Sequence, residues 1–413
     1  MFNRRFFSFR RLMLFLSVMG PGIIAANADN DAGGIATYTV SGARFGYQML
    51  FPLLIITVIL GITQELGGRI GVASGKGLGG VIRERFSLKL TLIAMLAMLV
   101  ANVGVIIANM AGVAAGALLF GIPTYISVPI TIIALWLLLY KGSFKKAERI
   151  FLVLSAVYIV YIITAVIVKP DWGTALKALV IPDMRLDQVY LLTLMALIGT
   201  TVTPWGQFFI QSYIVDKGTR PEVYGYQKLE MYLGAFLTNL ISFFIIVTAA
   251  NTLFSNGIVV QDASEAALSL APLAGAQAKN LFALGLFNAG LLGVSIVTLA
   301  TAYALCETYG FESGLDHTWR DAPVFYAIIL AILIASGIFI LIPGLPLFQI
   351  MIVTQAINGI ILPVILMYVY KIANDHTIMG SFTNSRLNNF LAAASIALLS
   401  IASLAVVLIS LQG

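Results

Sequence analysis

Two carboxylates near the N-terminus lie inside an otherwise apolar segment, and their type and position suggest cation binding. Asp29 and Asp31 are followed by the glycine pair Gly33 and Gly34. Glycine costs about 1 kcal/mol relative to alanine in a helix interior, so the pattern predicts a helix break beside Asp31. A break frees backbone carbonyls that a hard cation can bind, and it is tolerated where it lines a cavity. Because two residues turn a helix by about 200°, the two carboxylates cannot share one face, and Asp31 is the preferred ligand.

A second interrupted segment, residues 199–207, lies in the middle of the chain. Pro204 removes a backbone donor and clashes with the preceding turn, and Gly199 and Gly206 flank it. An isolated proline kink is the ordinary interpretation of such a segment. Its pairing with the first interruption, five predicted spans earlier, is instead typical of an inverted repeat whose substrate binds at the two breaks.

The composition places both segments in a membrane. Apolar residues form 60% of the 413 residues and charged residues 10%, whereas soluble proteins average about 45–50% and about 25%. This excludes a soluble, disordered or coiled-coil chain, and the single cysteine, Cys306, excludes an intramolecular disulfide. The net charge of +6 does not indicate a nucleic-acid partner, because the distribution of Lys and Arg matters more than their sum.

The sequence contains no signature of a soluble enzyme or of a resident cofactor. Its two histidines, His317 and His376, fall in predicted loops. A metal-binding His–Glu helix, a Cys pair, a phosphate-binding glycine loop and a nucleophile elbow are all missing. Nothing in the sequence argues for a membrane enzyme either, so the prediction is a protein that is not an enzyme and has no resident cofactor.

The predicted fold is an all-α membrane protein with eleven transmembrane helices. A span needs about 20 mostly apolar residues, and such segments lie at roughly 13–42, 47–68, 91–119, 122–140, 150–168, 188–215, 229–253, 280–306, 323–342, 347–370 and 389–411. They predict a single transporter domain, 1–413. Its inverted five-helix repeat covers about 12–170 and about 188–371, with interrupted helices 1 and 6 and an extra helix at about 389–411.

Lys and Arg residues set the predicted orientation. With the N-terminus in the cytoplasm, nineteen of the 24 lie inside, and the other five lie outside at Arg44, Lys169, Lys177, Arg185 and Lys279. The positive-inside rule thus predicts a multi-pass plasma-membrane protein with its N-terminus inside and its C-terminus outside. The segment up to Ala28 imitates a cleavable signal peptide, but we expect it to be retained because the chain after it keeps crossing the membrane.

Short blocks along the chain occur in a distinctive order. They are Gly20-Pro21-Gly22, Asp31, Phe45-Gly46-Tyr47-Gln48, Gln64-Glu65-Leu66, Arg69-Ile70-Gly71, Gly75-Lys76-Gly77, Leu119-Phe120-Gly121-Ile122-Pro123, Ala271-Pro272-Leu273 and Thr354-Gln355. In this order they resemble the NRAMP family of divalent-metal transporters along nearly the whole chain. The resemblance implies an amino-acid-transporter-like fold and a divalent metal ion as substrate.

The central motifs of that family are altered in this chain. The family carries Asp-Pro-Gly-Asn in span 1 and Met-Pro-His in span 6, where this sequence has Asp31-Ala32-Gly33-Gly34 and Thr203-Pro204-Trp205. The third span lacks the acids that the family is thought to use for protons and offers Asn102 and Asn109 instead. The combination is similar to the divergent NRAMP-related magnesium transporters.

The resemblance, carried over residue by residue, implies a metal site at the two breaks. Its ligands would be Asp31, the backbone carbonyls near Ala28 and Thr200, Thr203 and Gln355, with Gly34 in place of the family's asparagine and Gln207 and Asn358 as binders of outer-shell water or partners in interhelical hydrogen bonds. Among the other polar residues, Glu65 and Arg69 are expected to form an ion pair because they lie four apart. Glu230 and Glu307 are expected to be structural.

Three transport functions remain open from the sequence. A thioether favours transition metals, and Mg²⁺ is usually held by few carboxylates with several waters retained. Facilitated Mg²⁺ import by alternating access, without proton coupling, is therefore the preferred function. The alternatives are a proton-coupled Mn²⁺ or Fe²⁺ transporter and a transporter of an organic solute on the same fold. The expected partners are the metal ion and the lipid bilayer, and the oligomeric state stays open.

Overall fold

The structure is a computed structural model that describes residues 30–141, 153, 155–315 and 317–412. Helices joined by short connections make up these residues, and none of the described residues lies in a β-strand. The α-helices are α1 (Ala32–Phe45), α2 (Leu50–Ser74), α3 (Leu78–Arg85), α4 (Leu88–Leu119), α5 (Thr124–Lys141), α6 (Ile159–Val168), α7 (Trp172–Val180), α8 (Gln188–Thr201), α9 (Pro204–Asp216), α10 (Tyr224–Thr252), α11 (Ala263–Ala267), α12 (Ala271–Ala274), α13 (Ala278–Tyr309), α14 (Pro323–Ile340), α15 (Leu347–Ala373), α16 (His376–Met379) and α17 (Arg386–Gln412).

Eight helical segments within the described residues are long and apolar enough to cross a membrane. They are Leu50–Ser74, Leu88–Leu119, Gln188–Asp216, Pro221–Asn256, Ala263–Tyr309, Pro323–Ile340, Leu347–Ala373 and Arg386–Ile409. Two shorter apolar helices, Thr124–Tyr140 and Ile159–Val168, coincide with the fourth and fifth predicted spans. The prediction of an all-α polytopic membrane protein is confirmed. The count of eleven spans, the inverted repeat and the single-domain boundaries stay predictions, since most of the first predicted span lies outside the described residues.

The last helix, α17, lies at the edge of the bundle, where it packs against α15 and α8. Leu398, Ile401, Leu404 and Leu408 are at least half exposed on it, and their spacing of three and four residues places them on one helix face. A contiguous apolar face of this kind marks an interaction with lipid or protein rather than with water. The face fits the predicted contact with lipid acyl chains.

Small residues let helix α4 pack closely at the centre of the bundle. A Cβ added to Gly112 of α4 would lie 2.2 Å from the Cβ of Ala32, and one added to Gly290 of α13 would lie 2.6 Å from the carbonyl oxygen of Asn109. Membrane helices commonly use small residues at such interfaces. These contacts hold α4 against the start of α1 and the middle of α13, with Asn109 between them.

Helices α8 and α15 approach each other in the same way. A Cβ on Gly199 would lie 2.0 Å from the carbonyl oxygen of Gln355, and one on Gly359 would lie 2.4 Å from the carbonyl oxygen of Met195. The amide of Asn358 also donates a hydrogen bond to the Gly199 carbonyl. Of the two roles considered for Asn358, the structure shows the interhelical hydrogen bond.

A buried ion pair joins three parts of the fold at the predicted cytoplasmic side. Arg69 Nε lies 3.2 Å from Glu65 Oε1 on α2, which confirms the predicted pair. The hydroxyl of Tyr224, on α10, also donates to Glu65. Arg69 donates to the Phe382 carbonyl at 3.0 Å and to the side chain of Asn384, both in the connection before α17. The pair therefore ties α2 to α10 and to that connection.

A more exposed ion pair lies on the same predicted side. Arg85, at the end of α3, pairs with Asp375, which caps α16 by accepting a hydrogen bond from the backbone N–H of Thr377. Hydrogen bonding from the Thr377 side chain, followed by the contact with Arg85, lowers the pKa of Asp375 below its usual value. Asp375 therefore stays ionised and links α3 to the connection between α15 and α17.

Candidate metal-binding site

Helix α1, the described part of the first predicted span, begins directly after Asp31. The backbone of Asp31 is extended, with φ −69° and ψ −178°, and its Oδ1 accepts a hydrogen bond from the N–H of Gly34 at 2.7 Å. Aspartate is a preferred N-cap because its carboxylate satisfies an N–H that lacks a partner in the first helical turn. Gly33 and Gly34 therefore lie inside the first turn of α1. The predicted break beside Asp31 stays a prediction, because the residues before Asn30 lie outside the described ones.

Asn30, the residue before the cap, ties the start of α1 to α10. Its Nδ2 donates to Thr238 Oγ1 at 2.8 Å, and its Oδ1 accepts from the hydroxyl of Ser242 at 3.1 Å. Asn30 is completely buried, so these bonds fix the chain where it enters α1. Asn30 was not among the predicted site residues, although a polar residue in an apolar span is a signal that could have identified it.

The second predicted interruption is confirmed between α8 and α9. Helix α8 ends at Thr201, Thr203 Oγ1 caps α9 by accepting from the Gly206 N–H at 3.1 Å, and Pro204 is the first residue of α9. Proline suits this position because its fixed φ fits the helix and no N–H is needed there. The Thr200 carbonyl loses its regular partner four residues on, because Pro204 has no N–H. That carbonyl is one of the predicted ligands.

Helix α15 brings the start of α1 and the end of α8 together through Gln355. Its Nε2 lies 3.5 Å from Asp31 Oδ1, and its backbone carbonyl lies against Gly199 near the end of α8. A direct hydrogen bond also joins α1 to α8, since the hydroxyls of Tyr38 on α1 and Thr201 on α8 are 2.9 Å apart. Asp31 and Gln355, the predicted ligands from spans 1 and 10, therefore lie together, and the end of α8 packs beside them.

Asn109 of α4 is the side chain that the predicted ligand set lacked. Its Nδ2 donates to Asp31 Oδ2 at 2.6 Å, and its Oδ1 accepts from the Ala32 N–H at 3.1 Å. The sequence had marked Asn109 as a polar group in an apolar span, but a contact with Asp31 could not be inferred from spacing alone. Asp31, only 3% exposed, is thus held on both carboxylate oxygens.

Three of the predicted ligand residues have a buried side-chain oxygen without a hydrogen-bond partner among the described residues. They are Thr200 Oγ1, Gln207 Oε1 and Gln355 Oε1. A buried acceptor left unpaired costs about 1–3 kcal/mol, so such atoms fit a site that receives a ligand rich in positive charge. The candidate metal ligands at the breaks are then carboxylate, hydroxyl, amide and carbonyl oxygens, which suit Mg²⁺, Ca²⁺ and Mn²⁺.

Nitrogen and sulfur ligands do not gather at this site in the described part of the chain. His376 Nδ1 lies 3.1 Å from Thr383 in the connection before α17, and His317 lies in the connection before α14, where its carbonyl accepts from Tyr326. Cys306 is buried in α13. The described residues contain no group of three or more His, Cys, Asp or Glu that could hold a metal ion.

A polar stripe continues from the site along α9. Thr203, Gln207 and Gln211 follow each other at intervals of four residues and so share one helix face. Gly67 and Gly71 of α2 face this stripe: a Cβ on Gly67 would lie 3.4 Å from Gln207 Oε1, and one on Gly71 would lie 3.2 Å from Gln211 Cγ. Gln207 thus lies one turn beyond Thr203, against α2.

Glu307 lies where this face of α9 ends. Its Oε1 accepts from the hydroxyl of Ser212 at 2.7 Å, and its carboxylate fills the space beside Gly77, where a Cβ would lie 2.0 Å from Oε2. Glu307 therefore joins α13, α9 and the start of α3, in keeping with the structural role expected for it. Glu230, also expected to be structural, is completely buried and accepts from Gln227 Nε2 at 2.6 Å.

Two predicted site residues cannot be placed. Ala28, predicted to supply a carbonyl, and Asp29, the second carboxylate of the first span, lie outside the described residues. Gly34, which stands in place of the family's asparagine, donates its backbone N–H to Asp31 and has no side chain to offer a metal ion.

A model of the family described as Natural resistance-associated macrophage protein-like, or Nramp, matches residues 22–409 of the chain. The chain belongs to this family. The resemblance seen in the sequence is therefore confirmed at the level of the family, while the closer similarity to the magnesium-transporting branch stays a prediction.

Two bacterial relatives cover most of this Nramp chain. The divalent metal cation transporter MntH of Granulibacter bethesdensis is 25% identical over 390 residues, which cover 92% of this chain and 85% of its own. The protein of the same name from Ralstonia nicotianae is 28% identical over 404 residues, covering 94% and 90%. The chain is thus similar to divalent metal cation transporters over nearly its full length.

Solved structures share the fold at low sequence identity. The Eremococcus coleocola manganese transporter, in complex with an aromatic bis-isothiourea substituted compound, matches with a TM-score of 0.81 and 19% identity, over 96% of this chain and 87% of that chain. MhsT in complex with L-phenylalanine matches with a TM-score of 0.61 and 15% identity, over 97% and 98%. Proteins with different ligands thus share this Nramp fold, so the residues at the breaks, and not the fold, must carry an argument about the substrate.

Proposed function

We propose that this Nramp protein imports Mg²⁺ across the plasma membrane by alternating access, with Asp31 as the charged ligand between the two helix breaks. The observation that carries the proposal is the set of candidate metal ligands at the breaks. One carboxylate, that of Asp31, is held beside Gln355. Thr200 and Gln355 each have a buried side-chain oxygen that has no hydrogen-bond partner among the described residues and that a cation can bind. Every one of these ligand atoms is an oxygen, which hard cations prefer.

The types of donor favour Mg²⁺ among the divalent metals. Mg²⁺ keeps several waters and is usually bound through one or two carboxylates, so a site with one charged side chain and neutral oxygens suits a partly hydrated ion. Thr203, with its hydroxyl engaged in capping α9, stands where the family carries a thioether, and Trp205 stands where it carries an imidazole. Both changes remove ligands that favour softer metals.

Import of Mn²⁺ is the second candidate function. The relatives in Granulibacter bethesdensis and Ralstonia nicotianae are named divalent metal cation transporters, and the fold neighbour from Eremococcus coleocola is a manganese transporter. Mn²⁺ accepts the same carboxylate, carbonyl and water ligands. The donor set therefore supports either ion and favours Mg²⁺ through the loss of the soft ligand.

The direction of transport follows from the orientation predicted by Lys and Arg. With the N-terminus inside, the polar stripe from Thr203 to Gln211 leads from the site towards Lys76 and the predicted cytoplasmic side, where Gln211 Nε2 donates to the Lys76 carbonyl at 2.9 Å. This stripe would line the route by which the ion leaves. An inside-negative potential then favours import.

Uptake into proteoliposomes tests the proposal directly. Purified protein would be reconstituted with an inside-negative potential, and uptake of Mg²⁺ and Mn²⁺ would be measured separately and in competition. We expect saturable Mg²⁺ uptake that Mn²⁺ inhibits. Uptake of Mn²⁺ with no Mg²⁺ uptake would replace the first candidate with the second, and uptake of neither ion would contradict both.

A further inference from the structure

Asn109 of α4 binds both a side chain and the backbone at the start of α1. Its Nδ2 donates to Asp31 Oδ2 at 2.6 Å and to the Val105 carbonyl at 2.9 Å, and its Oδ1 accepts from the Ala32 N–H at 3.1 Å. The residue has no exposed surface. Two of its partners, Asp31 and Ala32, lie at the start of α1, and the third, Val105, lies one turn earlier in α4.

These contacts leave the amide a single orientation. An asparagine side chain has two N–H donors and one carbonyl acceptor, and each of them is used here. Turning the amide by 180° would set its oxygen against the Asp31 carboxylate and its NH₂ group against the N–H of Ala32. Because both contacts would then be repulsive, the chemistry of the partners assigns the orientation.

Close packing confines the amide as well. A Cβ on Gly293 of α13 would lie 2.3 Å from Cγ of Asn109, so the amide occupies the space that the glycine leaves open. A hydrogen bond to an ionised acceptor is about twice as strong as one between neutral groups. Asn109 therefore fixes Asp31 firmly, and as a neutral residue it adds no positive charge that would repel an incoming cation.

We propose that Asn109 is a positioning residue of the cation site, whose amide holds the Asp31 carboxylate in one orientation and thereby favours Mg²⁺ over larger divalent cations. The inference rests on the proposed function, in which Asp31 is the ligand. Mg²⁺ requires near-ideal octahedral geometry, whereas Ca²⁺ accepts a flexible arrangement of oxygens. A carboxylate that is free to rotate should therefore weaken Mg²⁺ binding more than Ca²⁺ binding.

Isothermal titration of the purified full-length protein with Mg²⁺ and with Ca²⁺ tests this role. Asn109→Leu keeps the branched shape and the number of heavy atoms but lacks the amide. We expect it to weaken Mg²⁺ binding roughly ten- to a hundredfold, from the loss of one hydrogen bond to a charged group. Ca²⁺ binding should weaken by less than about threefold, because its coordination tolerates movement of a ligand. The ratio of the two affinities is the readout, because a general loss of structure would lower both equally.

Asn102→Leu is the matched control. Asn102 is also buried on α4, seven residues earlier, and donates to Thr301 of α13 at 2.9 Å, with no bond to Asp31. We expect its Mg²⁺ and Ca²⁺ affinities to match the wild type. Asn109→Ala removes the same amide without adding a branched side chain, so it keeps the test valid if Asn109→Leu does not fold.

The outcomes separate this inference from the proposed function. Wild-type Mg²⁺ binding in both Asn109 variants, or equal losses for Mg²⁺ and Ca²⁺, would overturn the positioning role. Asp31→Asn, titrated in parallel, tests the site itself: unchanged Mg²⁺ binding in that variant would overturn the proposed function, whatever the Asn109 variants do.

Discussion

The Cα of Gly33 faces the side-chain amide of Gln355 so closely that a Cβ at Gly33 would lie 2.2 Å from Gln355 Nε2. The same nitrogen lies 3.5 Å from Asp31 Oδ1. Gly33 is therefore required for a close approach between α1 and α15, which places the amide next to the carboxylate. The sequence alone did not indicate this packing role for the glycine.

Gly33→Ala should move Gln355 away from Asp31. The atoms that would clash belong to the far part of a flexible side chain, so we expect the amide to rotate and the free energy of unfolding to change by less than about 1 kcal/mol. Apparent affinity for the transported metal should fall about tenfold, because one contact with the charged ligand is lost. The measurement is the concentration dependence of uptake in proteoliposomes.

The control for Gly33→Ala is Gly225→Ala. A Cβ on Gly225, in the first turn of α10, would meet no atom of the described residues within 4 Å, so uptake should match the wild type. A Gly33→Ala protein with unchanged affinity would show that Gln355 does not take part in metal binding.

Asp31→Asn separates the two roles of Asp31. Asparagine is as good an N-cap as aspartate, so α1 should begin at the same place and thermal stability should stay close to the wild type. The charge is lost, however, and we expect metal uptake to fall below about one hundredth of the wild-type rate, because a neutral amide does not offset the dehydration of a divalent cation. Uptake at the wild-type rate by a folded Asp31→Asn protein would rule out the site.

Thr203 has a capping role that must be separated from metal selectivity. Thr203→Met removes the hydroxyl that accepts from the Gly206 N–H, and loss of a cap lowers stability by about 1 kcal/mol. The double variant Gly34→Asn with Thr203→Met restores two ligand types of the family and should shift preference towards Mn²⁺ over Mg²⁺ in competitive uptake, because it supplies a soft ligand.

Thr203→Ser is the control for the selectivity change. Serine keeps the cap and adds no sulfur, so both stability and the Mn²⁺ to Mg²⁺ ratio should be those of the wild type. If the double variant keeps the wild-type ratio, position 203 does not set the selectivity.

The contact between Gly199 and α15 should be sensitive to a single methyl group. A Cβ on Gly199 would lie 2.0 Å from a backbone carbonyl oxygen, that of Gln355, and a backbone atom cannot rotate away. We expect Gly199→Ala to lower the free energy of unfolding by about 1–3 kcal/mol, the usual effect of overpacking. Thermal unfolding in detergent measures the change.

Gly285→Ala provides the comparison for overpacking. Gly285 is also in a membrane helix, α13, but a Cβ there would meet no atom in the described part of the chain within 4 Å. Since alanine is the better helix former by about 1 kcal/mol, this protein should be at least as stable as the wild type. Equal destabilisation of both variants would contradict the packing argument at Gly199.

Features of the site that depend on residues close together in the chain could be predicted from the sequence. Pro204 indicated the second break because a proline removes a donor wherever it stands, and Glu65 with Arg69 indicated an ion pair because both lie on one helix face. The capping role of Thr203 was also visible in principle, since Thr followed by Pro is a typical helix start.

The features that could not be predicted from the sequence depend on packing between helices that are far apart in the chain. The bond between Asn109 and Asp31 joins residues 78 positions apart, and it exists because Gly112, Gly290 and Gly293 let α4 approach α1 and α13. The contact between Gly33 and Gln355 crosses an even larger distance in the chain. No periodicity within one helix contains this information, so these contacts require the fold.

The final prediction is that metal transport is not coupled to protons. The described side chains that contact Asp31 are Asn109 and Gln355, and Trp205 stands in the position of the family's histidine; none of the three binds a proton at physiological pH. A divalent cation gains about 4.6 kcal/mol per 100 mV of inside-negative potential, twice the value for a single charge, so uptake needs no proton gradient. A pH-sensitive dye inside proteoliposomes should therefore report no change during Mg²⁺ uptake at a fixed membrane potential, and vesicles that contain the Asp31→Asn protein provide the baseline. Acidification of the lumen that requires Mg²⁺ would contradict the uncoupled mechanism, and Asp29→Asn would then test whether the second carboxylate of the first span carries the proton.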